Sequence, residues 1–217
     1  LGTLAVFMAG WASRNKYSFL GGMRAIAQMV SYEIPLVLSA VVVVMMVGSL
    51  SAADIVREQE FLWFVFTPWG FAAFVIFFIG ALAETNRSPF DLPEAESELV
   101  SGFHTEYSGL KFATFFMGEY IAMITMSGLM VTMFLGGWSV PWIEIPTSPT
   151  FGDVALSVVI FTIKLMLLLF FYIWVRWTLP RFRYDQLMKL GWKTLIPLAL
   201  LNIVVTGVVV ALLTGTG

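Results

Sequence analysis

From Glu84 to Tyr107 the chain reads ETNRSPFDLPEAESELVSGFHTEY, which gathers Glu84, Asp91, Glu94, Glu96, Glu98 and Glu106 around one fixed cation, Arg87. If Pro93 opens a helix, as proline does well in a first turn, Asp91, Glu94 and Glu98 fall at i, i+3 and i+7 on one face. Repulsion and burial both raise the pKa of carboxylates so placed, which lets some of them hold a proton near neutral pH. The chemistry on offer is the loading and release of protons. A solvated acidic loop has the same composition, so composition alone leaves both readings open.

The elements that carry this stretch are apolar. Of 217 residues 59% are hydrophobic and 12% charged, and the mean hydropathy of +0.88 lies outside the range of soluble globular domains. The apolar runs approach or exceed the length of about 20 residues that crosses a hydrocarbon core, so the chain is predicted to be a membrane protein. A net charge of −2 gives a nucleic-acid partner no electrostatic support. With no cysteine in the chain, disulfides, thiolate zinc sites and cysteine-ligated iron–sulfur clusters within it are excluded, and any redox centre belongs to a partner. Leu1 begins inside an apolar run with no charged flank, which predicts that the protein extends further towards its N-terminus, and Leu1–Gly10 lacks the basic leader of a signal peptide.

The predicted fold is all-α, a polytopic transmembrane helix bundle of five full spans and one partial one, with amphipathic helical segments in the inner loops. Leu1–Ala12 reads as the tail of a span and Ser13–Arg24 as a polar connector. Ala25–Val47 is the next span, Ser49–Glu60 a polar loop, and Phe61–Ala83 the third span. After the acid loop come spans at Phe112–Leu135, Val154–Val175 and Thr194–Thr214, separated by the Gly/Pro-rich Gly136–Asp153 and the basic Arg176–Lys193. Arg14, Lys16, Arg24, Arg87, Lys111, Arg176, Arg181, Arg183, Lys189 and Lys193 fall on connectors of one parity and Arg57 on the other, so the first set faces the cytoplasm or matrix.

Four ionisable groups then lie within or at the end of spans. At about 1.5 Å per residue, Glu33 and Glu119 are each roughly 12 Å deep, Glu84 ends its span at the inner boundary, and Lys164 is roughly 18 Å from Arg176, close to the midplane. A charge at the centre of a span costs roughly 2.5–3.5 kcal/mol on insertion scales, so each group is expected to face protein or a wet cavity. Read for function, the acids continue a proton path inward from the loop, and Lys164 trades protons or biases its neighbours. Read for structure, they are polar contacts, with Lys164 paired to a glutamate. Inverted repeats and paired broken helices, the marks of a substrate-binding transporter, are not found.

Lesser features add little. His104 has no second ligand at metal spacing, and a local hydrogen bond accounts for it, so no metal is assigned. Asn86-Arg87-Ser88 is a glycosylation sequon only formally, because it faces inward and proline follows. Pro35 is placed to kink its span near Glu33, and packing explains it equally well. Gly21-Gly22 and Gly136-Gly137 are too isolated for a nucleotide loop. The run Arg176–Gln186 mixes cations and aromatics and reads either as an interfacial anchor in lipid or as a docking surface for a soluble protein or a lipid-borne headgroup.

Three runs, GWASRNKYSFLGGMRAIAQMVSYE, AETNRSPFDLPEAESELVSGFHTEYSGLKFATFFMGEY and PRFRYDQLMKLGWK, closely resemble the membrane subunit of proton-pumping NADH:quinone oxidoreductase, respiratory complex I, that is called the H subunit in bacteria and chain 1 in mitochondria. The resemblance covers nearly the whole chain and implies that residues 1–217 form one integral membrane domain, the C-terminal two-thirds of a chain with about eight spanning helices. It implies quinone as the substrate, with no cofactor bound in this chain and the iron–sulfur clusters and FMN on partner subunits. The implied partners are the soluble quinone-site subunits of the hydrophilic arm, small and antiporter-like membrane subunits, and lipid. Mapped by motif, the implied proton-coupling acids are Glu33 in SYE, Glu84 in AETNR, Asp91 in PFD, Glu94, Glu96 and Glu98 in PEAESEL, and Glu119 in GEY. Arg24, Arg181 and Arg183 fall on the side of the quinone chamber. The bacterial cytoplasmic membrane and the mitochondrial inner membrane are both allowed. The homologous membrane subunit of an energy-converting hydrogenase, or of a ferredoxin- or F420-linked relative, is the alternative.

Overall fold

The computed structural model describes residues 2–87, 89–91, 107–141, 151–180 and 182–214, and every regular element in them is helical. In chain order these are α1 (Gly2–Ala12), α2 (Lys16–Val47), α3 (Ala52–Glu58), a 3₁₀ turn (Phe64–Phe66), α4 (Pro68–Glu84), α5 (Leu110–Phe134), α6 (Phe151–Thr178), α7 (Tyr184–Lys189), a π-helical segment (Leu190–Leu195) and α8 (Ile196–Thr214). Four runs, α2, α5, α6 and the continuous Tyr184–Leu213, are long and apolar enough to cross a membrane, while α1 and α4 are shorter apolar helices. The chain is thus a polytopic helical membrane protein.

Three expected boundaries shift, each for a local reason. The connector before the second span is only three residues long, because Asn15 caps α2 by accepting from the Tyr17 N–H at 3.1 Å. That puts Lys16 and Arg24 on the helix itself. The third span starts at Pro68, not Phe61. Thr67 accepts from the Gly70 N–H at 3.2 Å, and proline suits the first helical position, where its missing donor is not needed. The basic connector continues as helix from Tyr184 straight into α8. Pro197 has no N–H to offer the carbonyl four residues back, and the helix widens to π geometry immediately before it.

α2 is the scaffold, packing against α1, α4 and α8, while α5 bridges α4 and α6. Gly10 and Gly22 face each other where α1 crosses α2, and a Cβ on Gly10 would lie 3.4 Å from the Gly22 Cα. Small residues at such a crossing let two backbones approach closely in a membrane. The core is aromatic: Phe134 of α5 meets Phe74 and Phe77 of α4 edge-on, both at 5.7 Å, and Phe78 meets Tyr172 of α6 at 5.0 Å. α6 fully buries only a narrow stripe, Lys164, Leu168 and Tyr172, at i, i+4 and i+8; Phe161, Leu169 and Val175 pack partly against the core, and many of its other large apolar side chains are exposed, as on a helix facing lipid or a partner.

The start of α4 is tight enough to test. An added Cβ at Gly70 would collide with the Phe64 carbonyl oxygen and stand 2.5 Å from the Thr67 hydroxyl. Gly70→Ala is expected to destabilise the protein by about 1–3 kcal/mol, read as a lower melting temperature of the purified full-length protein. An unchanged melting temperature would mean that the turn is looser than described.

Candidate functional site

The turn that follows α4 places the site. Asn86 adopts a left-handed conformation, φ 48°, which asparagine tolerates better than most residues. Just before it, the Thr85 hydroxyl donates to the carbonyls of Ala81 and Leu82 at 3.0 and 3.2 Å. The turn is clamped from α2 by Gln28, whose fully buried amide donates to Ala83 O at 2.9 Å, Asn86 Oδ1 at 3.3 Å and Phe90 O at 2.8 Å. Phe90, held there, packs its ring on Tyr32 at 5.4 Å and on Phe182 at 5.7 Å, and the Phe182 N–H donates to Pro89 O at 3.2 Å. The start of the acid loop and the segment ahead of α7 are thereby fastened together.

Reversal of the chain at Asn86 turns Arg87 back into the protein, where its side chain is 8% exposed. Its guanidinium meets Glu119 of α5 at 3.4 Å and lies 4.4 Å over the ring of the adjacent Tyr120. The ion pair is long, and Arg87 Nε and Nη2 make no hydrogen bond among the described residues. Beside it is a cavity of about 500 Å³ between α1, α2, the end of α4 and α5, lined by Glu84, Thr85, Asn86 and Glu119 among others. Glu84 is half-buried at the end of α4, and Glu33 of α2 lies within its electrostatic reach. Glu33 itself is exposed on the flank of α2. Paired carboxylates, a buried guanidinium and room for water are together suited to moving charge or protons across a short distance.

The expected residues are thus distributed unequally. Glu84 and Glu119 line the cavity from α4 and α5, and Glu33 of α2 lies outside its lining, within the electrostatic reach of Glu84. Asp91 is half-buried one residue after the Gln28-clamped Phe90. Arg24 lies one helical turn before Gln28 and stands 6.0 Å from the Tyr184 ring, whereas Arg183 is exposed and pairs locally, with Asp185 at 3.5 Å. Glu94, Glu96, Glu98, Glu106, His104 and Arg181 lie outside the described residues. Among the described residues the Lys164 ammonium donates to three backbone carbonyls, those of Leu135, Gly137 and Ser139, and pairs with no glutamate.

Sequence reasoning gave Gln28 and Asn86 no role and counted Arg87 only as a charge. A glutamine inside an apolar span was the available sign, since hydrocarbon leaves its amide unsatisfied unless another helix supplies acceptors.

Comparison with known proteins gives one answer along most of the chain. The family model described as NADH dehydrogenase matches residues 1–207. The NADH-quinone oxidoreductase H subunit of Leptospira biflexa is 54% identical over 197 residues, 91% of this chain and 55% of the relative. An NADH-quinone oxidoreductase H subunit of Geobacter metallireducens is 54% identical over 211 residues, 95% of this chain and 60% of the relative. The H subunit of Protochlamydia amoebophila is 50% identical over 206 residues, 95% and 59% of the two chains. The chain therefore spans 55–60% of the length of these curated relatives. A family match from the first residue to Gly207, with half or more of the aligned residues identical in each of these relatives, shows that the chain belongs to the NADH dehydrogenase family.

Proposed function

We propose that this chain is the H-type membrane subunit of a proton-pumping NADH:quinone oxidoreductase, contributing to the floor of a quinone chamber and carrying protonation changes from it towards other membrane subunits. The observation that carries this reading is the cavity that Glu84 and Glu119 share, with Arg87 bound to Glu119 at its edge. On this reading the iron–sulfur clusters and FMN reside in soluble partners of the hydrophilic arm. Small and antiporter-like subunits adjoin within the membrane, which is the bacterial cytoplasmic one. Arg24, Arg181 and Arg183 stand on the chamber side.

Reduction of quinone to quinol consumes two electrons delivered by a partner and two protons drawn from the chamber. Withdrawal of those protons leaves extra negative charge on the loop acids, Asp91, Glu94, Glu96 and Glu98. Arg87 responds first, because its Nε and Nη2 are not committed to hydrogen bonds among the described residues. As it turns towards the new charge, its pair with Glu119 weakens and Glu119 takes up a proton through the cavity. Glu84 and then Glu33 respond in turn. Two charges about 6 Å apart interact by roughly 2–3 kcal/mol at an effective dielectric of about 20, enough to change a neighbour's protonation. Glu33 is exposed on this chain, and a charge facing lipid is costly, so a partner helix covers it and takes the signal onward.

Glu119→Gln and Glu84→Gln in the full-length protein within its membrane assembly are each expected to lower inhibitor-sensitive NADH:quinone turnover and proton pumping together, by roughly tenfold, about 1.4 kcal/mol. Electron transfer from NADH to an artificial acceptor in the soluble arm should persist. Wild-type turnover and pumping in both variants would remove the acids from the coupling path. Arg87→Met takes the guanidinium away from the partly buried Glu119 carboxylate and is expected to cost about 1–3 kcal/mol, read on native gels as loss of assembled complex. Adding Glu119→Gln should restore part of the assembly without restoring pumping. If the double variant is no better assembled than Arg87→Met, the two residues are not energetically coupled.

A further inference from the structure

We infer that Lys164 is a fixed cation that closes the half of the protein opposite the basic face to protons. The cavity reaches along α5 as far as Met126. One turn further, Met130, Val131 and Phe134 are fully shielded from solvent, and Phe77 closes on Phe134 from α4. Beyond this apolar septum comes a polar knot around the end of α5, and Lys164 is its centre.

Lys164 Nζ donates to Leu135 O at 2.7 Å, Gly137 O at 3.0 Å and Ser139 O at 2.6 Å, and lies 4.3 Å from the centre of the Trp63 ring. Three carbonyls take three N–H donors, the number an ammonium has and one more than a neutral amine has. The end of a helix and an aromatic face both favour a positive charge. Gln59 completes the knot: its amide donates to Thr132 O at 3.1 Å and Met133 O at 3.2 Å and accepts from the Gly136 N–H at 3.0 Å. Gly136 and Gly137 have φ of 70° and 52°, and a Cβ on either would stand 2.7 Å from Trp63 Nε1 or Val56 Cγ2, so the carbonyls are aimed inward by a turn only glycines fit.

A proton carrier must give its proton up and turn towards an acceptor. Lys164 is held by every donor it has. What such a residue can do is repel: a positive charge fixed across a path raises the energy of a hydronium ion entering it, as cationic constrictions do in water channels. Protons leaving the carboxylate cavity are then confined to a lateral route into neighbouring subunits. This barrier does not depend on the acids relaying protons, because passive leak is read without turnover.

The test uses proteoliposomes of the assembled complex with Lys164→Met, Lys164→Gln or Lys164→Arg, with the quinone site inhibited and proton entry after an acid pulse followed by a trapped pH dye. The neutral variants are expected to leak roughly tenfold faster than wild type, the factor that about 1.4 kcal/mol of lost barrier gives. Lys164→Arg should stay as tight as wild type. Neutral variants as tight as wild type overturn the assignment. So does loss of pumping in Lys164→Arg without leak, which would make Lys164 a carrier. If neither neutral variant assembles, the residue is a structural anchor and the barrier falls with it.

Discussion

Hydrocarbon offers no hydrogen bonds, so the polar groups of a spanning segment must be satisfied by protein or enclosed water, and the helices here are arranged around the few side chains that do this. Gln28 joins α2 to the end of α4, Gln59 and Lys164 join α3 and α6 to the end of α5, and Asn202 joins α8 to α4 through the Trp69 carbonyl at 3.1 Å. Each of these contacts links residues far apart in the chain. Dispersion between apolar side chains does not distinguish one helix pairing from another, because lipid tails are equally good neighbours. The polar cross-links therefore specify which helices meet, and the aromatic contacts of Phe74, Phe77, Phe78 and Phe134 fill the space that results.

α6 shows the consequence at its limit. Its fully buried stripe consists of Lys164, Leu168 and Tyr172; Phe161, Leu169 and Val175 are only partly buried against the core, and many of its other large apolar side chains are exposed. Lipid could replace apolar packing of this kind in part, whereas the three carbonyl bonds of Lys164 give α6 a directional contact with the end of α5. The segment ahead of α7 is held differently. Phe182 is tied by a backbone bond to Pro89 and by its ring to Phe90, and Tyr32 donates to Leu187 O at 2.8 Å. A displacement of the acid loop at Phe90 therefore pulls on α2 and on the π-helical entry to α8 together.

The spans and the acids were legible in the sequence for a shared reason: both are properties of residue type against an apolar background. Depth counted along the helices put Glu33 and Glu119 at a similar level and Glu84 at the inner boundary; the fold lines one cavity with Glu84 and Glu119, with Glu33 within the electrostatic reach of Glu84. Their partners were not legible. Arg87 reaches Glu119 only because Asn86 reverses the chain, and a left-handed asparagine leaves no mark in hydropathy. For Lys164 the structural reading offered a glutamate as partner, yet among the described residues its partners are main-chain carbonyls, which every residue possesses and no pattern reveals. The helix starts at Lys16 and Tyr184 escaped because charge and aromatics at a membrane interface read as loop, although a helix tolerates both.

Two buried cations thus meet α5 at different levels, Arg87 at Glu119 and Lys164 at the helix's C-terminal end, under opposite conditions. Among the described residues Arg87 has one long ion pair, a ring beneath it and, at Nε and Nη2, no hydrogen bond, and it adjoins a cavity of about 500 Å³. A guanidinium in that state gains by finding a better partner, so its position answers to the charge around it. Lys164 has its three donors filled at 2.6–3.0 Å and an apolar septum between it and the cavity. Any movement there breaks these three bonds. Saturation separates the two roles: the undersatisfied cation stands where the chain can respond to chemistry, and the saturated one stands where the membrane barrier has to be kept.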